Sequence, residues 1–405
     1  MIYRVPAWLF LITSLLLLRL PVYGQGQQVE LSEHSVISVI TIGPDEYELY
    51  AGFGHNAIRV YDPENGIDKA YNFGTFDFDQ PNFYLNFARG NLLYKLSVVN
   101  YLHLRNYWRS NNRFLHEQIL DLNLDQRQRT FEYLENNALP ENASYYYDYF
   151  YDNCATRIRD VFVSIFGDSL RFDGSYISGE MTVRDLTDQY LHGRFSWGDL
   201  GIDVCLGLPM DKVMTPFEYM YIPDYIEYGF ENAFLTGSDG TERRLVLHNI
   251  NVFQSLPFAA PTKITPLLVF SLFLAAIALT TWFNIRKGTR SNTFDFIFFL
   301  ILGLLGIFLM LLWFGTDHKA AANNFNLLWA FPIHLIAAFS VRKDRIGFGW
   351  RRYFKITAII LGAVLLGWNL LPQDLNFSLI PIVLIIVIRS AFIGWGVSYQ
   401  GNHSI

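Results

Sequence analysis

The side chain in this sequence best suited to nucleophilic chemistry is the thiol of Cys154. It follows an aromatic run (145–151), and Asp152 or Asn153 just before it is a good helix N-cap. Apolar residues recur at helical spacing over 158–165, so the sequence predicts a helix with Cys154 in its first turn. Unpaired N–H groups and the helix dipole favour an anion there, and we expect the pKa of the thiol to be lowered. The alternative is a buried structural cysteine.

A histidine far upstream supplies a base for this thiol. His55 follows Gly54 and opens a run with strand character, residues 62–66 form a turn, and residues 67–73 form the returning strand. A base on a β-hairpin opposite a thiol at a helix N-terminus is the arrangement of papain-like enzymes. Here the histidine precedes the cysteine, an order that resembles the circularly permuted NlpC-type proteins, which include lecithin:retinol acyltransferase. The two motifs predict a catalytic pair of Cys154 and His55.

The same resemblance suggests where a residue that orients His55 lies. Permuted relatives carry a polar residue on the strand after the histidine, and Asn72 is our choice, with Asp77 behind it. The register of the hairpin decides which of the two faces His55. Asp77 and Asn153 are also predicted to contact the substrate.

Length and composition bound the architecture. The chain has 405 residues, and its 51% hydrophobic content is too high for an ordinary soluble protein. The net charge is −6 and the basic residues form no long run, so nucleic acid is not an expected partner. We expect neither a cofactor nor a bound metal ion.

Residues 1–24 have the pattern of a secretory signal peptide. Arg4 precedes an apolar stretch over 8–18, and the residues up to Gly24 suit a signal peptidase. An uncleaved anchor is the alternative, and either way the segment that follows is exported. In an oxidising compartment Cys154 and Cys205 could pair, which would argue against catalysis. Otherwise we expect Cys205 to be a buried small hydrophobic residue.

An α+β domain is predicted over residues 25–261. Besides the His55 hairpin and the Cys154 helix, its expected strands and helices lie at 36–41, 92–101, 130–138, 182–191 and 246–253. Most of its many tyrosines and phenylalanines are expected to pack in the core.

Residues 262–405 predict an all-α transmembrane bundle of about five helices. Long, nearly uncharged apolar runs lie at 266–285, 294–314, 327–341, 356–371 and 379–393. Basic residues cluster at 286–290 and 342–355, and the positive-inside rule places both loops in the cytoplasm. The preceding domain is then extracytoplasmic and residues 398–405 are cytoplasmic. The signal pattern and the loop charges agree independently.

Four polar side chains concentrate at or within the outer ends of two of these runs: His318, Asn324, Asn326 and His334. A polar group at that depth costs a few kcal/mol unless it has a partner or a water-filled site. Hydrogen bonding between helices is one interpretation. The other, which we adopt as the prediction, is a site for a lipid headgroup or a substrate.

As a set, these features resemble the Lnb family of lipoprotein N-acyltransferases. The resemblance rests on the Gly54-His55 hairpin with residues 71–76, the Asp152-Asn153-Cys154 helix start, and a membrane bundle with Asp317-His318 and residues 324–329. It implies a multi-pass protein of the bacterial inner membrane whose periplasmic catalytic domain has the permuted papain-like fold. It also implies the reaction, in which a membrane phospholipid donates an acyl chain to the α-amine of the diacylglyceryl-cysteine of a lipoprotein.

The chemistry of the predicted pair suits that reaction. A thiol readily forms a thioester, which an amine attacks more easily than the original ester, so one hard step becomes two easier ones. His55 would serve as base and acid in turn, and the backbone N–H of Cys154 is an oxyanion donor. Two rival hypotheses remain: a membrane-tethered cysteine peptidase or amidase acting on cell wall, and a non-catalytic lipid-binding assembly protein.

Overall fold

The computed structural model describes residues 29–76, 79–237, 239–258, 263–343 and 345–396. The predicted signal peptide, Asp77 and residues 398–405, which are predicted to be cytoplasmic, lie outside these ranges, and what the sequence indicates for them stays a prediction.

The N-terminal part is built on antiparallel sheet. Its described strands, β1 to β10 in chain order, are Val36–Ile42, His55–Asp62, Ile67–Thr75, Leu93–Asn100, Leu115–Leu120, Ser144–Tyr146, Leu170–Phe172, Ala233–Thr236, Glu242–Arg244 and Val246–Phe253. Seven form one sheet in the order β10-β5-β1-β2-β3-β4-β6, and β7, β8 and β9 form a second sheet. All neighbouring strands in both sheets are antiparallel.

Helices cover both faces of the large sheet. Those described in this part, α1 to α8, are Phe83–Arg89, Tyr101–Ser110, Leu124–Asn137, Cys154–Phe166, Val183–Leu191, Ser196–Cys205, Pro216–Tyr219 and Pro223–Glu231. The combination of antiparallel sheet and separate helices confirms the predicted α+β class.

The interior strand β1 shows how the sheet is buried. Its side chains alternate between the two faces, as the strand period requires. Ile37 and Val39 join the core on the side of α4, whereas Ile40 and Ile42 pack with Trp108 of α2 on the opposite side. Burial on both faces explains why five of the seven residues of β1 are apolar.

The C-terminal part is helical. Its described α-helices, α9 to α13, are Pro266–Lys287, Asn292–Gly315, Ile333–Val341, Phe348–Leu366 and Ile380–Trp395. Four segments are long and apolar enough to cross a membrane: Pro266–Lys287, Asn292–Gly315, Lys319–Val341 and Phe377–Trp395. The sequence predicted about five transmembrane helices. The difference is α12, whose first two turns carry the basic residues Arg351, Arg352 and Lys355.

One end of the bundle contacts the N-terminal domain. The backbone N–H of Asp317, after α10, donates to the carbonyl of Arg89 at 2.9 Å. After α12, the amide of Gln373 donates to the carbonyl of Leu206 at 2.9 Å. The loops that follow α10 and α12 therefore lie at the same end, against the domain.

The basic loops lie at the other end. Arg290, after α9, donates to the carbonyl of Val341 at 2.8 Å and to that of Lys343 at 2.7 Å. The helix α12 starts beside these loops and ends against the domain, so it runs between the same two ends as α10. This is the arrangement that the positive-inside rule predicts from the loop charges.

Candidate active site

A cavity of about 320 Å³ lies where β2, β3 and the N-terminus of α4 meet. Four of the residues predicted for the site line it: Cys154, His55, Asn72 and Asn153. Most of the remaining wall is aromatic. The structure thus brings the predicted nucleophile, base and orienting residue into one cavity.

Cys154 is held by a fully formed helix cap. It is the first residue of α4, and the side chain of Asn153 accepts hydrogen bonds from Ala155 N–H at 2.9 Å and Thr156 N–H at 3.0 Å. The Asn153 amide donates to the carbonyls of Tyr149 and Tyr221. The predicted cap is confirmed as Asn153, whose amide is engaged on both sides in fixing the helix start.

His55 is fixed by the strand that it opens and by Asn72. It pairs with Ile42 in the β1–β2 register. Its Nε2 lies 2.5 Å from Oδ1 of Asn72. The Asn72 amide nitrogen donates to the hydroxyls of Thr75 at 3.2 Å and Ser97 at 3.4 Å, so the oxygen faces the ring and Nε2 carries the proton. Nδ1 is therefore the basic nitrogen.

Gly74 lies beside both Cys154 and His55. Its φ of +88° is a conformation that residues with a Cβ rarely adopt. A Cβ added at this position would lie 3.4 Å from Cβ of Cys154 and 3.9 Å from Cε1 of His55. The backbone conformation therefore favours glycine here, and a Cβ would lie in van der Waals contact with both side chains.

The pKa of the Cys154 thiol differs from the sequence-based expectation. Burial raises the pKa of Cys154 to about 11, although backbone N–H groups of Asn56, Ala155 and Cys154 itself act in the opposite direction. Burial also lowers the pKa of His55 to about 4, against the hydrogen bond to Asn72. The predicted lowering of the thiol pKa is wrong, because desolvation outweighs the helix N-terminus. Both groups are neutral at pH 7.

Two protein-family models match this chain. The Lnb N-terminal periplasmic domain matches residues 29–189, and the Lnb transmembrane domain matches residues 259–400. The chain belongs to the Lnb family. It is therefore a membrane protein with a periplasmic domain. No curated protein and no solved structure gave a match.

The aromatic wall of the cavity continues toward the Lnb transmembrane domain. Phe76 lines the cavity and stacks on Phe83 at a centroid distance of 6.1 Å, and Phe83 stacks on Phe87 at 6.5 Å. The carbonyl of Phe87 accepts from Nε2 of His318 at 3.1 Å. A chain of rings thus links the cavity, through α1, to the end of α10.

Two asparagines predicted to bind substrate join the Lnb bundle to the periplasmic domain. Asn324 donates to the carbonyl of Val204 at 2.9 Å, and Asn326 donates to that of Asp203 at 3.0 Å. The Asn326 oxygen accepts from the indole N–H of Trp329. Both side chains are buried and engaged with protein groups, and neither lines the cavity.

His334 lies deeper in the bundle. Its Nε2 is 3.2 Å from the carbonyl of Trp329, and its Nδ1 is 2.8 Å from the hydroxyl of Tyr353. Both ring nitrogens have partners, and the side chain is 1% exposed. The structure does not bring His318, Asn324, Asn326 or His334 to Cys154, and their role in binding substrate stays a prediction.

The sequence analysis did not single out Arg113, which also lines the cavity. It lies in the short connection between α2 and β5 and is buried, and its Nε donates to the carbonyl of Gly43 at 2.7 Å. No motif or periodicity marks an arginine in such a connection. Only the tertiary fold brings it to the same cavity as Cys154.

Within the described ranges, one group of acidic side chains could hold a metal ion. Asp188, Asp199 and Asp203 bring carboxylate oxygens within 4.8 Å of one another. Arg184 pairs with Asp203, and none of the three acids lines the Cys154 cavity. The cluster therefore plays no part in the site at Cys154.

Proposed function

We propose that this protein is a lipoprotein N-acyltransferase acting at the periplasmic face of the bacterial inner membrane. Its donor is a membrane phospholipid, and its acceptor is the free α-amine of the diacylglyceryl-cysteine at a lipoprotein N-terminus. Cys154 is the nucleophile, His55 the base and Asn72 the residue that orients His55. No cofactor or metal ion takes part in this scheme.

One observation carries the proposal. The stacked rings of Phe76, Phe83 and Phe87 link the cavity of Cys154, His55 and Asn72 to the end of the transmembrane bundle. On α1 the side chains of Tyr84, Leu85 and Phe87 are 78%, 56% and 58% exposed. Exposed apolar side chains beside membrane helices suit contact with lipid. A cell-wall hydrolase would need a cleft open to water instead.

The first half-reaction loads the thiol. Nδ1 of His55 accepts the proton of Cys154 as the sulfur attacks the ester carbonyl of the phospholipid. The N–H groups of Cys154 and Asn56, which already act on the sulfur, are placed to stabilise the oxyanion. The carbon–oxygen bond of the ester then breaks, and His55 returns the proton to the departing lysophospholipid alkoxide. The product is a thioester on Cys154.

The second half-reaction transfers the chain. Nδ1 of His55 takes a proton from the incoming α-amine as its nitrogen attacks the thioester carbonyl. The carbon–sulfur bond breaks, the sulfur leaves as the thiolate, and the proton held on His55 restores the thiol. The lipoprotein leaves with an amide at its N-terminus, and the enzyme is ready for another phospholipid.

The neutral resting states of Cys154 and His55 fit a mechanism in which the proton moves between them during the attack. Since burial disfavours both the thiolate and the imidazolium, the pair does not rest as an ion pair. The proton moves only as the sulfur attacks, when the oxyanion gains its hydrogen bonds. This is general-base catalysis with a base whose ring nitrogen is fixed by Asn72.

The bundle's role in this scheme is to hold the cavity at the membrane surface. His318, Asn324 and Asn326 bond to backbone carbonyls of the periplasmic domain, so they set its position relative to the lipid. A fixed position converts a dilute encounter with a lipid ester into an oriented one, which lowers the barrier by several kcal/mol.

Mass spectrometry of a lipoprotein N-terminus in cells tests the proposal. Cells with this protein as their sole candidate N-acyltransferase should contain triacylated lipoprotein, and cells with the Cys154→Ala protein should contain the diacylated form with a free amine. Cys205→Ala is the matched control, because Cys205 is a free thiol outside the cavity, and it should behave as wild type. Triacylated lipoprotein in the Cys154→Ala cells would overturn the proposal.

A further inference from the structure

Arg113 places a buried positive charge in the cavity of Cys154. The residue is 7% exposed, and its Nη2 is a buried atom with no hydrogen-bond partner among the residues that the structure describes. It forms no ion pair with any of them. The nearby carboxylate of Asp45 accepts the backbone N–H groups of Tyr47 and Glu48 instead.

The other buried arginines are paired. Arg159 lies 2.7 Å from Asp160, Arg184 bridges Asp203 and Asp211, and Arg389 lies 2.7 Å from Asp295. A buried guanidinium without a carboxylate is expensive, because burial removes its water and nothing replaces the lost interactions. An unpaired one that lines a cavity is arranged for an anion that arrives with a ligand.

The proposed reaction supplies one anion of the required kind. Cys154 and His55 are neutral at pH 7, so Arg113 is the charged group among the described lining residues of the cavity. The phospholipid donor carries a phosphodiester close to the ester that the thiol attacks. The lipoprotein acceptor carries diacylglycerol and an amine at its N-terminus, with no phosphate. A guanidinium matches phosphate oxygens in charge and in the spacing of its N–H groups.

We propose that Arg113 binds the phosphodiester of the acyl donor during loading of Cys154. This inference rests on the proposed function and adds to it the residue that distinguishes the two substrates. Phosphate on Arg113 holds the donor ester at the thiol in the first half-reaction. When the lysophospholipid leaves, its phosphate leaves the Arg113 guanidinium before the acceptor enters the cavity. The residue therefore acts on thioester formation and not on transfer to the amine.

The first measurement is binding to the full-length protein with Cys154→Ala, which cannot react. The probes are dihexanoyl phosphatidylglycerol and the phosphate-free dihexanoylglycerol. Arg113→Gln should weaken binding of the phospholipid by about 10- to 100-fold, the range for hydrogen bonds to a charged group. Binding of dihexanoylglycerol should change by no more than about twofold. Arg109→Gln is the matched control, since Arg109 is exposed on the neighbouring helix and does not line the cavity.

The second measurement is the rate of Cys154 acylation in protein with an intact thiol, followed by intact mass. Arg113→Gln should slow acylation by phosphatidylglycerol about 10- to 100-fold. Acylation by the phosphate-free ester 4-nitrophenyl palmitate should be nearly unchanged. Arg113→Lys keeps the charge but loses the planar fork, so it should fall between wild type and Arg113→Gln. If the Arg113→Gln protein does not fold, the Arg113→Lys protein provides the test by itself.

The outcomes separate the two proposals. Equal losses with both esters would give Arg113 an oxyanion or structural role, and equal phospholipid binding with and without Arg113 would remove it from donor recognition. Either result overturns the inference. A wild-type protein that binds phospholipid through Arg113 but never acylates Cys154 would keep Arg113 as a phosphodiester site, remove its part in loading the thiol, and overturn the proposed function.

Discussion

Two buried arginines in this molecule have opposite surroundings. In the membrane bundle, Arg389 and Asp295 are both 0% exposed, and two hydrogen bonds of 2.7 and 2.8 Å join them. Thr281 accepts a third at 2.8 Å, so the pair ties together α9, α10 and α13. In the periplasmic cavity, Arg113 has one backbone acceptor and no carboxylate within the described residues. A buried arginine that is fully paired with a carboxylate has a structural role. We infer that a buried arginine without such a partner is available to bind an anionic ligand.

Two histidines, His334 and His55, show the same contrast. His334 has a protein partner at each ring nitrogen, a carbonyl and a tyrosine hydroxyl. His55 has Asn72 at Nε2, whereas its Nδ1 has no hydrogen-bond partner among the described residues and is the nitrogen that we propose to act on Cys154. Both residues were candidates on sequence grounds. Only the hydrogen-bond partners of the ring nitrogens distinguish a histidine with a packing role from one that can transfer a proton.

The largest expected effect is loss of the free nitrogen of His55. His55→Ala should lower acyl transfer by about 10²- to 10⁴-fold, the usual contribution of a general base. Steady-state transfer to a synthetic diacylglyceryl lipopeptide measures it. His334→Ala is the comparison variant and should lose activity only in proportion to lost folded protein. Equal specific losses per folded molecule would break the contrast between the two histidines.

The next effect is on stability and compares the two arginines directly. Removing one partner of the bundle pair, by Arg389→Met or Asp295→Asn, should destabilise the protein by about 3–5 kcal/mol, since the other charge stays buried. Asp295→Leu combined with Arg389→Met should cost much less. Arg113→Gln should leave the thermal unfolding temperature in detergent unchanged or raised, because it removes an unpaired charge. A large drop for Arg113→Gln would mean that the charge is compensated after all.

The pH dependence of alkylation tests the neutral resting pair. Iodoacetamide reacts with the thiolate, and the pKa of Cys154 is raised to about 11 by burial. In the Cys205→Ala protein the rate should therefore rise about tenfold per pH unit from pH 7 toward pH 10. An exposed thiol would level off near its ordinary pKa of about 8.5. A fast rate that stays flat between about pH 5 and 8 would indicate a thiolate–imidazolium pair instead.

The smallest effect concerns the contacts between the two domains. Asn324→Ala removes two hydrogen bonds, one donated to the carbonyl of Val204 and one accepted from the N–H of Asn326, and each contributes about 1 kcal/mol. We expect acyl transfer to fall several-fold, with a normal amount of protein in the membrane. The comparison is the rate with 4-nitrophenyl palmitate in detergent, where positioning at a bilayer is irrelevant and no loss is expected. Equal losses in both assays would show that Asn324 acts by some route other than positioning.

Local patterns predicted the elements that carry the nucleophile and the base. The helix at Cys154, the hairpin at His55 and β1 follow from caps, turns and apolar periodicity, which are properties of neighbouring residues. Strand β5, Leu115–Leu120, was not predicted because it buries Glu117 and Gln118 in the middle of the sheet. Glu117 is accommodated by Arg59, which is distant in sequence, and no local pattern reveals such a pairing.

The parts of the site that were missed depend on tertiary burial. The helix N-terminus at Cys154 is visible in the sequence, but the desolvation that reverses its effect on the thiol pKa is not. Arg113 reaches the cavity only because α2 and β5 pack beside the hairpin. Arg389 did carry a signal, a single charge within an apolar run, although its partner Asp295 lies three helices earlier.

The most direct test of the account is a search for an acyl group on Cys154. Full-length protein is incubated with phosphatidylglycerol in the absence of acceptor, digested, and analysed by mass spectrometry. The account predicts a hydroxylamine-sensitive acyl thioester on the Cys154 peptide and none on Cys205. Addition of a diacylglyceryl lipopeptide with a free amine should discharge it to N-acylated product. Absence of the thioester, or its release as free fatty acid while the lipopeptide stays unmodified, would contradict the account.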